Sequence, residues 1–152
     1  MARYKNGTIL ELDIFGLYFC YAQILPYGNT AFFDFRSEKH ISDFSILDKA
    51  PILFIISIYP YIVSKGLWKR VGYLNLRENF KEDIKYYIYD EIHNKYEEYS
   101  SKTGEIKPSS LDKCKNLECC AVWDKNHVED RIRDYYSGKT CIWLKQLSPS
   151  SD

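Results

Sequence analysis

The sequence predicts an α+β fold in which a strongly bent antiparallel sheet or partial β-barrel carries a few packed helices, the longest near the C-terminus. Three observations predict it. Aromatic residues make up 16% of the chain and tyrosine alone accounts for 14 positions; aromatic and β-branched side chains suit the half-buried surface of a sheet. Short apolar stretches punctuated by Gly, Pro and Asn recur between residues 7 and 101, as strands and turns do. One stretch, AVWDKNHVEDRIRDYYSGKT at 121–140, instead keeps helical spacing over several turns. At 152 residues the chain suits a single domain over 1–152, with a frayed tail from about residue 148.

Each element follows from its local pattern. GTILELDIF (7–15) alternates apolar and polar side chains in its middle and reads as a half-buried strand. A turn at Gly16 leads to a second strand, GLYFCYAQIL, and PYGN (26–29) has the chemistry of a tight turn before a third, TAFFDF. Three strands on short links make an antiparallel meander. A short helix is expected from about Ser42, whose hydroxyl can cap free N–H groups. PILFIISIYPYIV is too short to cross a membrane, is interrupted by Pro60, and suits a buried central strand over 51–59. After a turn at Gly66 a short strand runs through Trp68, and 74–83 is a polar connection. Two strands, 84–90 and 95–101, flank EIHN, and SKTGEIKP is a turn. SSLDKCKNLECCAV supplies a short capped helix and a strand at 119–122. TCIWLKQL ends the chain as a strand or docked tail.

In the 121–140 helix, Asn126 and Glu129 have capping-box spacing and Gly138 is a stop. Val128, Ile132, Tyr135 and Tyr136 share one face; His127, Asp130, Arg131 and Asp134 share the opposite one. Glu129 and Arg133 are spaced as an i, i+4 ion pair. The charged stripe does not resemble a metal or catalytic helix, because Arg131 stands where a HExxH helix places its second histidine. It reads as a solvated face or a protein-docking face. His40 and His93 stand alone in polar loops. The five cysteines have no paired C-x-x-C spacing and read as reduced, mostly buried thiols, not zinc ligands or a disulfide framework. No catalytic residue, metal ligand or cofactor is assigned.

Composition narrows function further. With 21 basic and 21 acidic residues the chain lacks the basic field of a non-specific nucleic-acid binder. The N-terminus has no signal-peptide pattern, so a cytoplasmic protein is expected. Adjacent acidic pairs, Glu97–Glu98 among them, suit a patch that meets a basic partner.

The whole chain, from about residue 6 to 147, resembles the immunity protein 26 family of bacterial polymorphic toxin systems. The resemblance rests on NGTILELDIFGLYFCYAQIL, AFFDF, PILFIISIYPYIVSKGLWKRVG with Trp68-x-x-x-Gly72, and CCAVWDKNHVEDRIRDYYSGKTCIWLKQL with Ala121-x-Trp123 and Trp143. It departs at Ala22, where the family usually carries glycine. It implies a non-enzymatic protein made beside a toxin, with a nuclease as the candidate toxin activity, that binds the toxin and blocks its active site or locks its shape. The partner-binding candidates are His127, Asp130, Arg131 and Asp134, with Glu97 and Glu98 as a second patch. No membrane and no direct nucleic acid contact is expected. The rival readings are a small barrel that binds nucleic acid, with Trp68 stacking a base, and a nuclease.

Overall fold

Ten strands and four helices succeed one another along residues 5–147, the residues described by the computed structural model. They are β1 (Thr8–Ile14), β2 (Tyr18–Ile24), β3 (Thr30–Ser37), β4 (Ile52–Ile58), α1 (Tyr61–Ser64), β5 (Lys69–Tyr73), β6 (Lys85–Asp90), β7 (Lys95–Ser100), β8 (Ile106–Ser109), α2 (Leu111–Cys114), β9 (Glu118–Cys119), β10 (Val122–Trp123), α3 (Lys125–Ser137) and α4 (Ile142–Leu147). The expected frayed tail from 148 lies outside the described residues. The strands form two sheets, ordered β10-β4-β3-β2-β1-β5 and β8-β7-β6-β9. The fold is α+β with its longest helix near the C-terminus, as expected. The sheets stay open instead of closing into a barrel, and each adds one parallel pair, β10 with β4 and β6 with β9, to otherwise antiparallel ladders.

The pleat of β1 sorts its side chains. Leu10, Leu12 and Ile14 point to one face, where Phe32, Phe54, Ile56, Trp68 and Val128 and Ile132 of α3 bury them. Ile9 points to the other, where Tyr21, Phe33, Leu47 and Ala50 close over it. Each fully buried large apolar side chain contributes about 1.5–3 kcal/mol, against less than about 1 kcal/mol for an exposed pair such as Lys81 with Glu78. Apolar burial on both faces therefore holds the sheet. It also corrects the reading of β1 as half-buried: the segment 38–50 covers its second face, so even Glu11 is only 7% exposed.

Gly72 permits that covering, and Gly7 permits the close approach of the chain before β1 to Leu74. A Cβ on Gly72 would stand 2.6 Å from the Phe44 ring. One on Gly7, which has φ 98, would stand 2.6 Å from the Leu74 carbonyl.

Several elements differ from expectation. The helix from Ser42 is a single 3-10 turn, Phe44–Leu47, started by Asp43, whose carboxylate accepts the Ser45 N–H at 3.0 Å. The polar connection 74–83 hides Phe80, 1% exposed, and Arg77 donates to the Leu47 and Ala50 carbonyls. The segment taken as a turn supplies β8. The 119–122 strand is two strands, β9 in one sheet and β10 in the other, so this short stretch ties the sheets together. The C-terminal strand or tail is helix α4. The strand expected to be central, β4, is covered on its outer side by β10 only at Ser57 and Ile58. No helix among the described residues is long and apolar enough to cross a membrane.

The candidate functional site on helix α3

Helix α3 begins at Lys125 because Asp124 caps it: its Oδ1 accepts the Lys125 N–H at 2.8 Å. Asn126, expected to be the cap, is already inside the helix, two residues on. Gly138 (φ 70) ends it in the left-handed conformation, as expected. The Tyr61 hydroxyl also donates to Asp124, and these two hydrogen bonds hold its carboxyl below the ordinary value of 3.8. A depressed carboxyl contributes stability above its unfolded pKa and loses it as pH falls through the folded one. The expected result is a carboxyl shift titration of Asp124 with a midpoint below 3.8, and a wild-type advantage over Asp124→Asn that vanishes through that midpoint. A midpoint at or above the ordinary value would show that the cap does not hold the charged form.

The buried arc of α3 is wider than its apolar residues predict. It runs from Arg131 through Val128 and Ile132 to Glu129. Glu129 is 6% exposed, accepts the Trp68 indole N–H at 2.9 Å and pairs with Lys125 at 2.9 Å. The expected Glu129–Arg133 pair is therefore replaced by Glu129–Lys125. Arg131, expected on the outward stripe, is 7% exposed. Its guanidinium lies 3.7 Å from the centre of the Phe54 ring and 5.0 Å from that of Trp123. It donates two parallel hydrogen bonds, 2.9 and 2.8 Å, to Glu118 of β9. Arg131 is a tie between the helix and both sheets, and it does not lie on the outward stripe.

His127, Asp130 and Asp134 do share the outward side, where they are braced. The His127 ring stacks on Trp143 of α4, centroids 3.8 Å apart, and Asp130 accepts the Trp143 indole N–H at 2.9 Å. Arg133 lies 3.4 Å from both Asp130 and Asp134 and places its guanidinium 4.7 Å over the ring of Phe15, in the turn between β1 and β2. Tyr135, expected to face the core, is 55% exposed. Tyr135 and Tyr136 both donate to Asp34 of β3. Arg36 covers the rings of Tyr18 and Tyr136. Burial and the Asp34 acceptor push the Tyr136 phenol upward, so it remains a hydrogen-bond donor.

The second proposed patch is divided. Glu97 and Glu98 are consecutive on β7, so they point to opposite faces of the smaller sheet. Glu98 accepts from Ser109 and lies 3.9 Å from Lys85. Glu97 sits opposite Ile88 and Pro108 in the ladder and lines a groove with His93 and Tyr96.

Sequence reasoning missed the network at Glu11. Its carboxylate accepts the Tyr21 hydroxyl at 2.7 Å and lies 2.8 Å from Nδ1 of His40, which stacks on Phe19. The Tyr21 oxygen accepts the Ile41 N–H in turn. The network fastens the 38–50 segment to the sheet. Its only signal in the sequence was a glutamate amid an apolar strand. His93, also read as a lone histidine, pairs with Asp90 at 2.7 Å inside the β6–β7 loop.

Trp68 is 1% exposed, so it cannot stack a nucleic-acid base. All five cysteines are free thiols, three of them buried; burial pushes Cys20 up to about 12. Among the described residues no three His, Cys, Asp or Glu side chains converge as metal ligands would. A groove of about 490 Å³ lies beside α3, lined by Leu53, Phe54, Tyr135, Cys141 and Leu144 with Lys139 and Lys145 at its rim.

Residues 5–98, from the approach to β1 through most of β7, match the model of the family described as Immunity protein 26. The chain belongs to the immunity protein 26 family. No curated protein and no solved structure gives a match. The matched part carries the meander, Trp68 and Gly72, the larger sheet without β10, its covering segment, and β6 with most of β7 of the smaller sheet. Helices α3 and α4 lie beyond the match, although the resemblance to about residue 147 rests partly on CCAVWDKNHVEDRIRDYYSGKTCIWLKQL. Membership of an immunity family implies a non-catalytic role and a toxin as partner.

Proposed function

We propose that this member of the immunity protein 26 family works as a single domain in the cytoplasm and neutralises a cognate toxin encoded beside it, by binding the toxin one to one. Family membership carries this reading. Binding would cover the toxin's active site or hold it away from its productive shape. The side of α3 that bears His127, Asp130 and Asp134 is the docking face we favour. Its carboxylates are pre-positioned by Trp143 and Arg133, so little side-chain freedom is lost on binding. Carboxylates of this kind steer a partner with a basic surface, as a nuclease toxin would present. Glu97 and Glu98, on opposite faces, would belong to separate and smaller contacts.

The experiment is co-expression with the toxin domain of the neighbouring reading frame. The wild-type chain is expected to restore growth and to co-purify at one-to-one stoichiometry. The double variant Asp130→Lys, Asp134→Lys is expected to associate about tenfold more slowly at low salt, with the difference shrinking as salt is raised. An unchanged association rate places docking elsewhere, and a chain that neither protects nor binds removes the immunity reading.

A further inference from the structure

The turn between β1 and β2 breaks a rule of turn chemistry. Phe15 has φ 53 and Gly16 has φ 72, and the Leu17 N–H donates to the Ile14 carbonyl at 2.9 Å. Two consecutive positive φ values are the sign pattern of a type I′ turn, which favours Asn-Gly. A bulky L-residue in the left-handed region is strained. Phe15 gains no compensating burial: it is 50% exposed, and Leu17 beside it is 62% exposed. An exposed aromatic kept at a strained position points to a use outside the fold.

Its surroundings indicate which use. Arg133 lies over the Phe15 ring and is itself held by Asp130 and Asp134. Leu17, 62% exposed, continues the patch along the turn. Aromatic and arginine side chains on a braced support are the residues that anchor protein interfaces. Around them stand three carboxylates, Asp13, Asp130 and Asp134, against the one guanidinium of Arg133. The surround is therefore net negative.

We propose that Phe15, with Leu17, is the apolar anchor of the toxin interface, and that it enters a concave apolar pocket bordered by basic side chains on the toxin. This rests on the toxin-binding reading above and adds the anchor and the chemistry of the surface that receives it. Asp130 and Asp134 then act partly as positioning residues, holding Arg133 and through it the Phe15 ring.

The test exploits the strain. Asn tolerates the left-handed conformation, so Phe15→Asn is expected to keep or raise the melting temperature, by up to about 2–4 °C. It is expected to weaken binding to the purified neighbouring toxin domain by about thirtyfold or more, the loss typical of an interface hot spot. Leu17→Ala, beside Phe15 and outside the left-handed region, is expected to weaken binding without unfolding. Ile92→Asn, at an 88% exposed position in the β6–β7 loop, serves as the control and is expected to bind as wild type does.

If wild type binds and Phe15→Asn binds within twofold of it, the anchor is refuted while the immunity reading stands. If Phe15→Asn lowers the melting temperature by several degrees, Phe15 serves the fold and the proposal fails. If Phe15→Asn alters only self-association in light scattering, the patch belongs to a second copy of this chain, and the proposal again fails. If wild type does not bind the toxin, both readings fall together.

Discussion

Replacing Arg131 by methionine is expected to destabilise the protein by about 3 kcal/mol, lowering the melting temperature by about 6–12 °C. The guanidinium is almost wholly buried and satisfies both oxygens of Glu118, which is itself 27% exposed. Methionine fills most of the volume between Phe54 and Trp123 but leaves the carboxylate facing an apolar wall. Stranding one partner of a buried pair costs more than the pair contributes. The double variant Arg131→Met, Glu118→Met is therefore expected to recover most of the loss. Because Arg131 belongs to α3, Glu118 to β9 and Phe54 to β4, the single variant loosens the helix and the junction between the sheets together. Urea denaturation of the two variants checks this. If the single variant loses less than about 1 kcal/mol, or the double variant recovers nothing, the tie contributes no more than a surface ion pair.

Arg131 also shows what the sequence could convey about this molecule. Periodicity of two residues located β1, β2 and β3 and the β6–β7 hairpin, because those strands are paired with near neighbours and closed by turns with local chemistry. Helical periodicity located α3 and its glycine stop, but it ranked side chains by polarity. On that basis Arg131 and Glu129 belonged outside. They are buried because their partners belong to other elements: Glu118 and Trp123 to the short strands just before the helix, Phe54 and Trp68 to distant parts of the chain. The same limit hid the Glu11–His40 contact, which spans 29 residues, and the capture of Trp143 by His127 and Asp130.

Other differences were legible and went unread. Glu97 and Glu98 are consecutive on a strand, and strand geometry alone separates them. Asp124 is as good a helix cap as Asn126, and it precedes the helix that forms. The turn at Gly16 was visible, yet nothing in the sequence showed that Phe15 shares its left-handed backbone.

Trp68→Ala is expected to have the largest effect of any single substitution considered, about 3–5 kcal/mol. The indole is 1% exposed, meets Phe32 edge to face with centroids 5.6 Å apart, and donates its N–H to the buried Glu129. Alanine opens a cavity in the main core and removes a hydrogen bond to a charged group, worth about 1.5–3 kcal/mol. The packing and hydrogen-bonding parts separate in a double-mutant cycle. Trp68→Phe keeps much of the packing and removes the N–H, so about 2 kcal/mol is expected for it. In the Glu129→Leu background the same change should cost at least about 1 kcal/mol less, since the carboxylate no longer needs a donor. Lys125, the other partner of Glu129, is partly exposed and can turn to water when the carboxylate is gone, so it should not mask the coupling. Additivity within about 0.5 kcal/mol would mean that the indole is held by packing alone. A measured coupling would make the link between the loop before β5, inside the family-matched residues, and helix α3, outside them, a specific part of what folds this chain.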